Sequence, residues 1–189
     1  PQPISHGFMP LPAAKPATAV AVTANLAVED AGERTWVSRG AHKLIGALDA
    51  FGIDVAGRRA LDAGASTGGF TEVLLDRGAA AVVAVDVGYG QLAWSLRSDP
   101  RVHVIERTNV RDLTAEAIGG PVDIIVADLS FISLSTVLPA LTACAGPHAD
   151  IVPMVKPQFE VGRSQGGAGG VVADPQLRAG AVLAVAARA

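Results

Sequence analysis

A glycine-rich turn between Leu61 and Phe70 is the segment of this 189-residue chain with the residue types best suited to binding a ligand. It reads LDAGASTGGF, so a short strand leads into three glycines and a helix follows. Glycine lets the backbone approach a ligand closely or adopt positive φ. The N-terminus of a helix offers free N–H groups and a partial positive charge. The turn therefore predicts a binding site for a ligand that carries a small anionic group.

The spacing of the glycines narrows the choice of ligand. Gly64, Gly68 and Gly69 form the pattern G-x-x-x-G-G, which is neither the dinucleotide pattern G-x-G-x-x-G nor a phosphate-binding loop ending in G-K-S/T. Asp86 ends the next predicted strand, where an acid accepts hydrogen bonds from ribose hydroxyls. A nucleoside with a small anionic tail fits these features, and S-adenosylmethionine is such a molecule. A nicotinamide cofactor and a turn with only a packing role remain as alternatives.

Further contacts to this cofactor are expected from the loops that follow the predicted strands. Asn109 follows the third strand, in the loop that flanks the adenine in this fold class; a purely turn-forming role for its side chain is an equal alternative. The complete predicted cofactor site consists of Gly64, Ser66, Thr67, Gly68, Gly69, Phe70, Asp86, Val87, Asn109 and Asp128.

Two ionisable residues end neighbouring predicted strands and could carry chemistry. Asp128 ends the fourth strand and Lys156 ends the fifth. The carboxyl ends of strands in open α/β sheets face one crevice, so we expect these side chains to share a pocket, the alternative being two solvated strand ends. Lys43 lies opposite the apolar stripe of the first predicted helix, and its position in the pattern alone indicates a solvated lysine.

Alternating strands and helices are expected to position these residues. Ser38 is a suitable N-cap for a first helix that continues to Phe51. Strands are predicted at 59–64, 81–86, 102–106, 122–129 and 151–155. Further helices are predicted at 69–77, at 90–97, within 132–145 with Pro139 as a kink or first-turn residue, and at 174–189. Strands that are apolar on both faces predict an α/β, Rossmann-like fold with a mostly parallel sheet and helices on both faces.

The composition excludes several classes of protein. Half of the residues are hydrophobic, the formal net charge is −3, and Cys144 is the single cysteine of the chain. An intrachain disulfide or a cysteine metal site is therefore excluded, and we expect Cys144 to be buried and no metal to be bound. No apolar run approaches the length of a membrane span, and the chain does not open with a signal peptide. These features predict a cytoplasmic protein that does not enter a membrane.

Five segments carry longer motifs: 36–44 (WVSRGAHKL), 61–70 (LDAGASTGGF), 86–92 (DVGYGQL), 128–133 (DLSFIS) and 156–160 (KPQFE). In this order they resemble the TlyA family of ribosomal-RNA ribose methyltransferases, also long labelled hemolysins and related to the FtsJ-type 2′-O-methyltransferases. The resemblance runs from about Lys15 to the last residue. It implies a class I methyltransferase fold, S-adenosylmethionine as cofactor, and ribosomal RNA of the small or large subunit as partner, with cytidine as the target.

The resemblance also assigns roles to three residues. The family uses a Lys-Asp-Lys-Glu constellation, and Lys43, Asp128 and Lys156 match its first three members, whereas its glutamate would lie beyond Ala189. We expect Lys156 to activate the ribose 2′-hydroxyl, with burial and a neighbouring cation making its neutral amine more accessible. Lys43 would supply that cation and hold an RNA phosphate, and Asp128 would orient Lys156.

The same comparison divides the chain into three parts. Residues 1–14 are interpreted as a flexible leader, 15–35 as the remnant of an S4-type RNA-binding domain with its linker, and 36–189 as the methyltransferase domain, expected to lack its last strands. Because the chain lacks a basic stripe and the phosphate contacts that an S4-type domain would add, we expect it to bind its cofactor better than RNA. The alternatives are a nicotinamide-dependent oxidoreductase, an inactive fragment, and a membrane-active hemolysin, for which the sequence offers no basic amphipathic segment.

Overall fold

A computed structural model describes residues 34–161 and 171–188. Five parallel strands form one sheet in the order β3-β2-β1-β4-β5. The strands are β1 (Arg59–Ala63), β2 (Ala81–Val85), β3 (Val102–Ile105), β4 (Val122–Ala127) and β5 (Ala145–Pro153). The order reverses between β1 and β4, so the loops after these two strands diverge and open a crevice at their carboxyl ends.

Helices cover both faces of the sheet, which confirms the predicted α/β architecture. Three pack on one face and two long ones on the other, together with a 3₁₀ helix (Val110–Asp112). The helices are α1 (Gly40–Phe51), α2 (Gly69–Asp76), α3 (Trp94–Arg97), α4 (Leu134–Cys144), α5 (Pro157–Glu160) and α6 (Pro175–Ala186).

The core consists of two apolar clusters, one on each face of the sheet. Successive residues of a strand point to opposite faces, so Ala60 of β1 joins the cluster under α1 and α2, whereas Leu61 joins the cluster under α4. Both faces are buried, and this explains why the central strands are almost uninterrupted apolar runs. Cys144 is fully buried in the second cluster, as predicted.

The ends of two helices differ from the prediction. Helix α1 begins at Gly40 rather than directly after Ser38, and the N-cap position is Arg39, whose side chain makes no capping bond. The Ser38 hydroxyl nevertheless accepts the Gly40 N–H at 3.2 Å, so it caps from one residue further out. Helix α3 is shorter than the predicted 90–97, because Gly90 has positive φ and the backbone is still non-helical at the N-cap Ala93, where ψ is 139°. The Gly90 N–H bonds to the Glu106 carboxylate.

The last strand and the helices beside it also differ from the prediction. Strand β5 spans Ala145–Pro153 rather than 151–155, with a register shift opposite β4, so Lys156 lies three residues beyond the strand and not at its end. Pro139 lies inside α4 and not in its first turn, and α6 ends at Ala186. The predicted leader and nearly all of the predicted RNA-binding remnant, residues 1–33, lie outside the described residues.

Leu141→Ala should lower the free energy of unfolding by about 2 to 5 kcal/mol, because it leaves a cavity in the cluster under α4, where Leu141 is fully buried. Leu183→Ala is the matched control: this α6 leucine is 69 % exposed, and its loss should change stability by about 0.5 kcal/mol or less. Urea unfolding followed by circular dichroism measures both. Equal losses in the two variants would contradict the assigned core.

Candidate active site

The glycine turn after β1 lies against the end of β4. Gly64 has φ 90°, and a Cβ on it would be 2.9 Å from the backbone oxygen of Asp128. Gly68 has φ 102° and is the N-cap of α2; a Cβ there would collide with the side chain of Leu96. A larger residue at Gly64 would therefore press on the backbone of Asp128, whereas at Gly68 the positive φ is the main obstacle, since the end of the Leu96 side chain can shift.

Asp86 holds the glycine turn from the end of β2. Its two carboxylate oxygens accept the N–H of Ser66 at 2.8 Å and the N–H of Gly88 at 2.7 Å. Ser66 itself has φ 49°, an unusual left-handed conformation for a residue other than glycine. The carboxylate therefore fixes the shape of the loop and still has lone pairs that can accept further hydrogen bonds.

A cleft of about 510 Å³ lies beside Asp86, at the carboxyl ends of the strands. Its volume falls in the range of about 300 to 1,000 Å³ that is usual for small-molecule sites. Six of the ten residues predicted to contact the cofactor line it: Gly64, Ser66, Asp86, Val87, Asn109 and Asp128. The Asn109 side chain also accepts the Arg111 N–H at 3.1 Å and caps the 3₁₀ helix, so it has the turn-forming role as well.

The other four predicted cofactor residues lie elsewhere. Thr67, Gly69 and Phe70 line a second cleft of about 570 Å³ on the other side of the turn. Phe70 is only 6 % exposed and packs in the core under α1 and α2. Gly68 lines neither of these two clefts and faces Leu96 instead.

The two clefts meet at Asp128. Both are lined by Gly64, Ser66, Asp128 and Ser130, so the two clefts adjoin at these residues. The second cleft also contains Ser38, Arg39, Gly40, Lys43 and Lys156.

The three residues predicted to carry chemistry come together at this junction. The Lys156 ammonium lies 2.6 Å from Oδ1 of Asp128, in an ion pair whose angle is poor for a hydrogen bond, and it donates to the Ser130 hydroxyl at 2.8 Å. The Lys43 ammonium lies 3.7 Å from Oδ2 of the same carboxylate. The side chain of Lys43 is 55 % exposed, which explains why its position in the helix indicated a solvated lysine.

Sequence reasoning missed two polar residues of this region. Ser130 was passed over because nothing in its spacing distinguishes it, although its hydroxyl accepts from Lys156. Asp62 lies fully buried on β1 beneath the first turn of α2, where its Oδ2 accepts the Thr71 hydroxyl at 2.7 Å. The available signal was an acid inside an otherwise apolar strand.

The environment of Asp62 alters its acidity. Burial raises the pKa of Asp62 to about 7, against the lowering effect of the hydrogen bonds from Thr71, and the nearby charges of Asp128 and Asp86 act in the same direction as burial. Within residues 34–161 and 171–188, its Oδ1 has no hydrogen-bond partner. A carboxyl group whose pKa is about 7 therefore lies directly beneath the glycine turn.

Two further features bear on the function. Among the described residues there is no group of three or more His, Cys, Asp or Glu side chains that could hold a metal ion. In the same part of the chain, no helix is long and apolar enough to cross a membrane.

Comparison with known proteins identifies relatives across the whole described region. The model of the FtsJ-like methyltransferase family matches residues 36–188. A 16S/23S rRNA (cytidine-2′-O)-methyltransferase, TlyA, from Mycobacterium tuberculosis is 76 % identical over 179 residues, which are 95 % of this chain and 67 % of that protein. Hemolysin A from Brachyspira hyodysenteriae is 42 % identical, over 76 % of this chain and 60 % of its own length.

Solved structures agree with these sequence relatives. The crystal structure of a hemolysin-named protein from Lactococcus lactis matches with a TM-score of 0.78 and 42 % identity, over 81 % of this chain and 74 % of that one. An S-adenosylmethionine dependent methyltransferase from Mesorhizobium loti has a TM-score of 0.51 at 18 % identity, covering 62 % of this chain and 55 % of that one, and shows a shared fold.

Asp62→Asn should remove part of the pH dependence of stability. The pKa of Asp62 is about 7 in the folded protein and 3.8 ordinarily, so between these values the folded state binds more protons and loses stability as pH rises. Asparagine resembles the protonated acid and does not ionise, so the variant does not lose this stability as the pH rises. Relative to wild type, Asp62→Asn should therefore gain stability from pH 4 to pH 7, by up to a few kcal/mol.

Urea unfolding at a series of pH values measures this effect, with Asp112→Asn, an exposed acid, as the control. A difference between Asp62→Asn and wild type that stays constant across the window would contradict the assigned protonation.

Proposed function

The chain belongs to the FtsJ-like methyltransferase family, and within it to the TlyA proteins, and we propose that it transfers a methyl group from S-adenosylmethionine to a ribose 2′-hydroxyl of ribosomal RNA. The observation that carries the proposal is the meeting of two clefts at one acid, Asp128, flanked by Lys43 and Lys156. Cytidine in small- or large-subunit RNA is the proposed target, after the name of the Mycobacterium tuberculosis relative.

The cleft beside Asp86 suits the cofactor. Gly64 lacks the Cβ that would narrow the junction of the two clefts, so a ligand beside Asp86 can approach the backbone there closely. Asp86 is proposed to accept from the ribose hydroxyls, and Asn109 to approach the adenine. When bound, S-adenosylmethionine would supply the electrophilic methyl group that is transferred to the acceptor.

The second cleft is proposed to hold the acceptor nucleotide. Arg39 and Lys43 line it and would attract a phosphate of the RNA. In its neutral amine form, Lys156 Nζ is proposed to accept the proton of the 2′-hydroxyl while the new oxygen–carbon bond replaces the sulfur–carbon bond of the methyl donor. The resulting ammonium is the form that pairs with Asp128. Asp128 and Ser130 hold that nitrogen in place, and the alignment of the reacting atoms should account for most of the rate.

The proposal extends to the organisation of the chain. Residues 36–189 would form the catalytic domain and 15–35 the end of an RNA-binding domain, while the chain spans about 67 % of the length of the mycobacterial relative. With a net charge of −3, this chain is proposed to hold its cofactor more firmly than ribosomal RNA. Ribosomal RNA as substrate implies the cytoplasm as the place of action.

Calorimetric titration distinguishes the proposed cofactor from the main alternative. We expect wild-type protein to bind S-adenosylmethionine at one site and to show no heat of binding with NAD⁺. Asp86→Ala should weaken the binding of S-adenosylmethionine by about tenfold or more. The substitution removes the hydrogen-bond acceptor for the ribose and releases the N–H groups of Ser66 and Gly88. Asp112→Ala, on an exposed 3₁₀ turn, is the control. Binding of NAD⁺ in place of S-adenosylmethionine would overturn the proposed cofactor.

Lys156→Ala should lower methyl transfer to ribosomal RNA by about 10²-fold or more, the scale of a lost acid–base group. Its affinity for S-adenosylmethionine should stay close to wild type, because Lys156 does not line the cofactor cleft. Transfer of tritiated methyl groups and calorimetry measure the two effects, and Arg178→Ala, on the exposed side of α6, should alter neither. Full methyl transfer by Lys156→Ala would show that the assigned role is wrong.

A further inference from the structure

The position of Lys156 depends on a short segment with little stability of its own. Strand β5 ends at Pro153, and Lys156 is the N-cap of α5, a helix of four residues. So short a helix is not stable by itself in water and must be held by contacts with other segments. The lysine at the centre of the proposed function therefore needs an anchor outside its own turn.

The segment that carries Asp128 is also irregular. It connects the end of β4 to the start of α4 at Leu134, and within it Phe131 has φ 64°. A bulky residue in the left-handed region costs free energy and persists only where surrounding contacts impose it. Both halves of the ion pair between Lys156 and Asp128 thus lie on segments that need to be fixed from outside.

Glu160 connects these two segments. Its Oε2 accepts the Ser133 hydroxyl at 2.6 Å, and its Oε1 accepts the Leu134 N–H at 2.8 Å. The N-terminus of α4 is a favourable place for a carboxylate, because the free N–H groups there carry partial positive charge. The Ser133 hydroxyl in turn accepts the Ser135 N–H, so the bond from Glu160 is part of the cap of α4.

The contacts between the two segments occur in the same order along each segment. Lys156 contacts Asp128 and Ser130, the rings of Phe159 and Phe131 lie 5.4 Å apart, and Glu160 bonds to Ser133 and Leu134. Glu160 accepts one of its two bonds from a side chain and the other from the backbone of α4. Neither of its oxygens lines the two clefts, which separates its role from that of a residue in contact with substrate.

We propose that Glu160 is a positioning residue, whose carboxylate joins the α5 turn to the first turn of α4 and thereby places the Lys156 ammonium against Asp128 and Ser130. The expected effect on methyl transfer rests on the proposed function. The effect on the position of the Lys156 ammonium does not depend on it. It also accounts for Glu160 within the motif KPQFE, where Lys156 is the residue to which a chemical role was assigned.

Lysine reactivity tests the geometric part without relying on methyl transfer. The side chain of Lys156 is 18 % exposed and held by two partners, whereas that of Lys43 is 55 % exposed, so acetylation with limiting acetic anhydride, read by peptide mass spectrometry, should be slower at Lys156. In Glu160→Ala we expect Lys156 to react about threefold faster, through local opening of its segment, with Lys43 unchanged. Glu160→Gln keeps an acceptor for Leu134 and should restore most of the protection.

Two further variants keep the test decisive. Glu116→Ala removes an exposed acid remote from both clefts and should leave the labelling of Lys156 unchanged. Ser133→Ala removes one of the two bonds and should give a partial effect even if Glu160→Ala fails to fold. Unchanged labelling of Lys156 in the folded variants, or an equal rise at Lys43, would overturn the proposal.

Kinetics tests the catalytic part. Glu160→Ala should lower kcat for methyl transfer by about tenfold, because a small displacement of Lys156 spoils the alignment, while KM and the affinity for S-adenosylmethionine stay within about twofold. A loss of cofactor affinity parallel to the loss of kcat would indicate a merely structural role and contradict the proposal. If the wild-type chain transferred no methyl group while Lys156 responded to Glu160→Ala, the proposed function would fail and the positioning of Lys156 would stand.

Discussion

The close approach of Gly64 to the backbone of Asp128 is the constraint on which the rest of the site depends. Parallel pairing of β1 with β4 brings these residues together, and the missing side chain of glycine leaves the Asp128 oxygen where a Cβ would otherwise contact it. Because the strand order reverses at this pair, the loops diverge above it and leave a cleft on each side. One carboxylate therefore borders both clefts and attracts a lysine from α1 and another from the α5 turn.

Much of this arrangement could be predicted from the sequence, because it follows from local patterns. Apolar runs separated by helical periods define the parallel sheet, and the carboxyl ends of its strands place Asp86 and Asp128 at one edge whatever the details of the loops. Lys43 is different: its angle on α1 indicates a solvated side chain, and the resemblance to a family alone marked it. A long side chain can be half exposed and still reach a partly buried acid such as Asp128, and a helical pattern does not distinguish such a lysine from a fully solvated one.

The rest depends on contacts between residues distant in the chain. The buried state of Asp62 follows from the packing of α2 over β1. Lys156 lies on a turn whose Glu160 bonds to Ser133 and Leu134, 27 and 26 residues away along the chain. The shortened α3 was missed for a similar reason, since the Gly90 N–H bonds to Glu106, which follows β3. Where tertiary hydrogen bonds replace local ones, propensity and spacing carry no information about the outcome.

The central claim is that the acceptor is a ribose hydroxyl bound beside Asp128. Its most direct test is nucleoside mass spectrometry of ribosomal RNA that has been incubated with the chain and S-adenosylmethionine carrying a deuterated methyl group. The arrangement of Lys43, Asp128 and Lys156 predicts the label on the ribose, as 2′-O-methylcytidine. Label found on a base, with none on ribose, would contradict the assignment of the second cleft to a ribose acceptor.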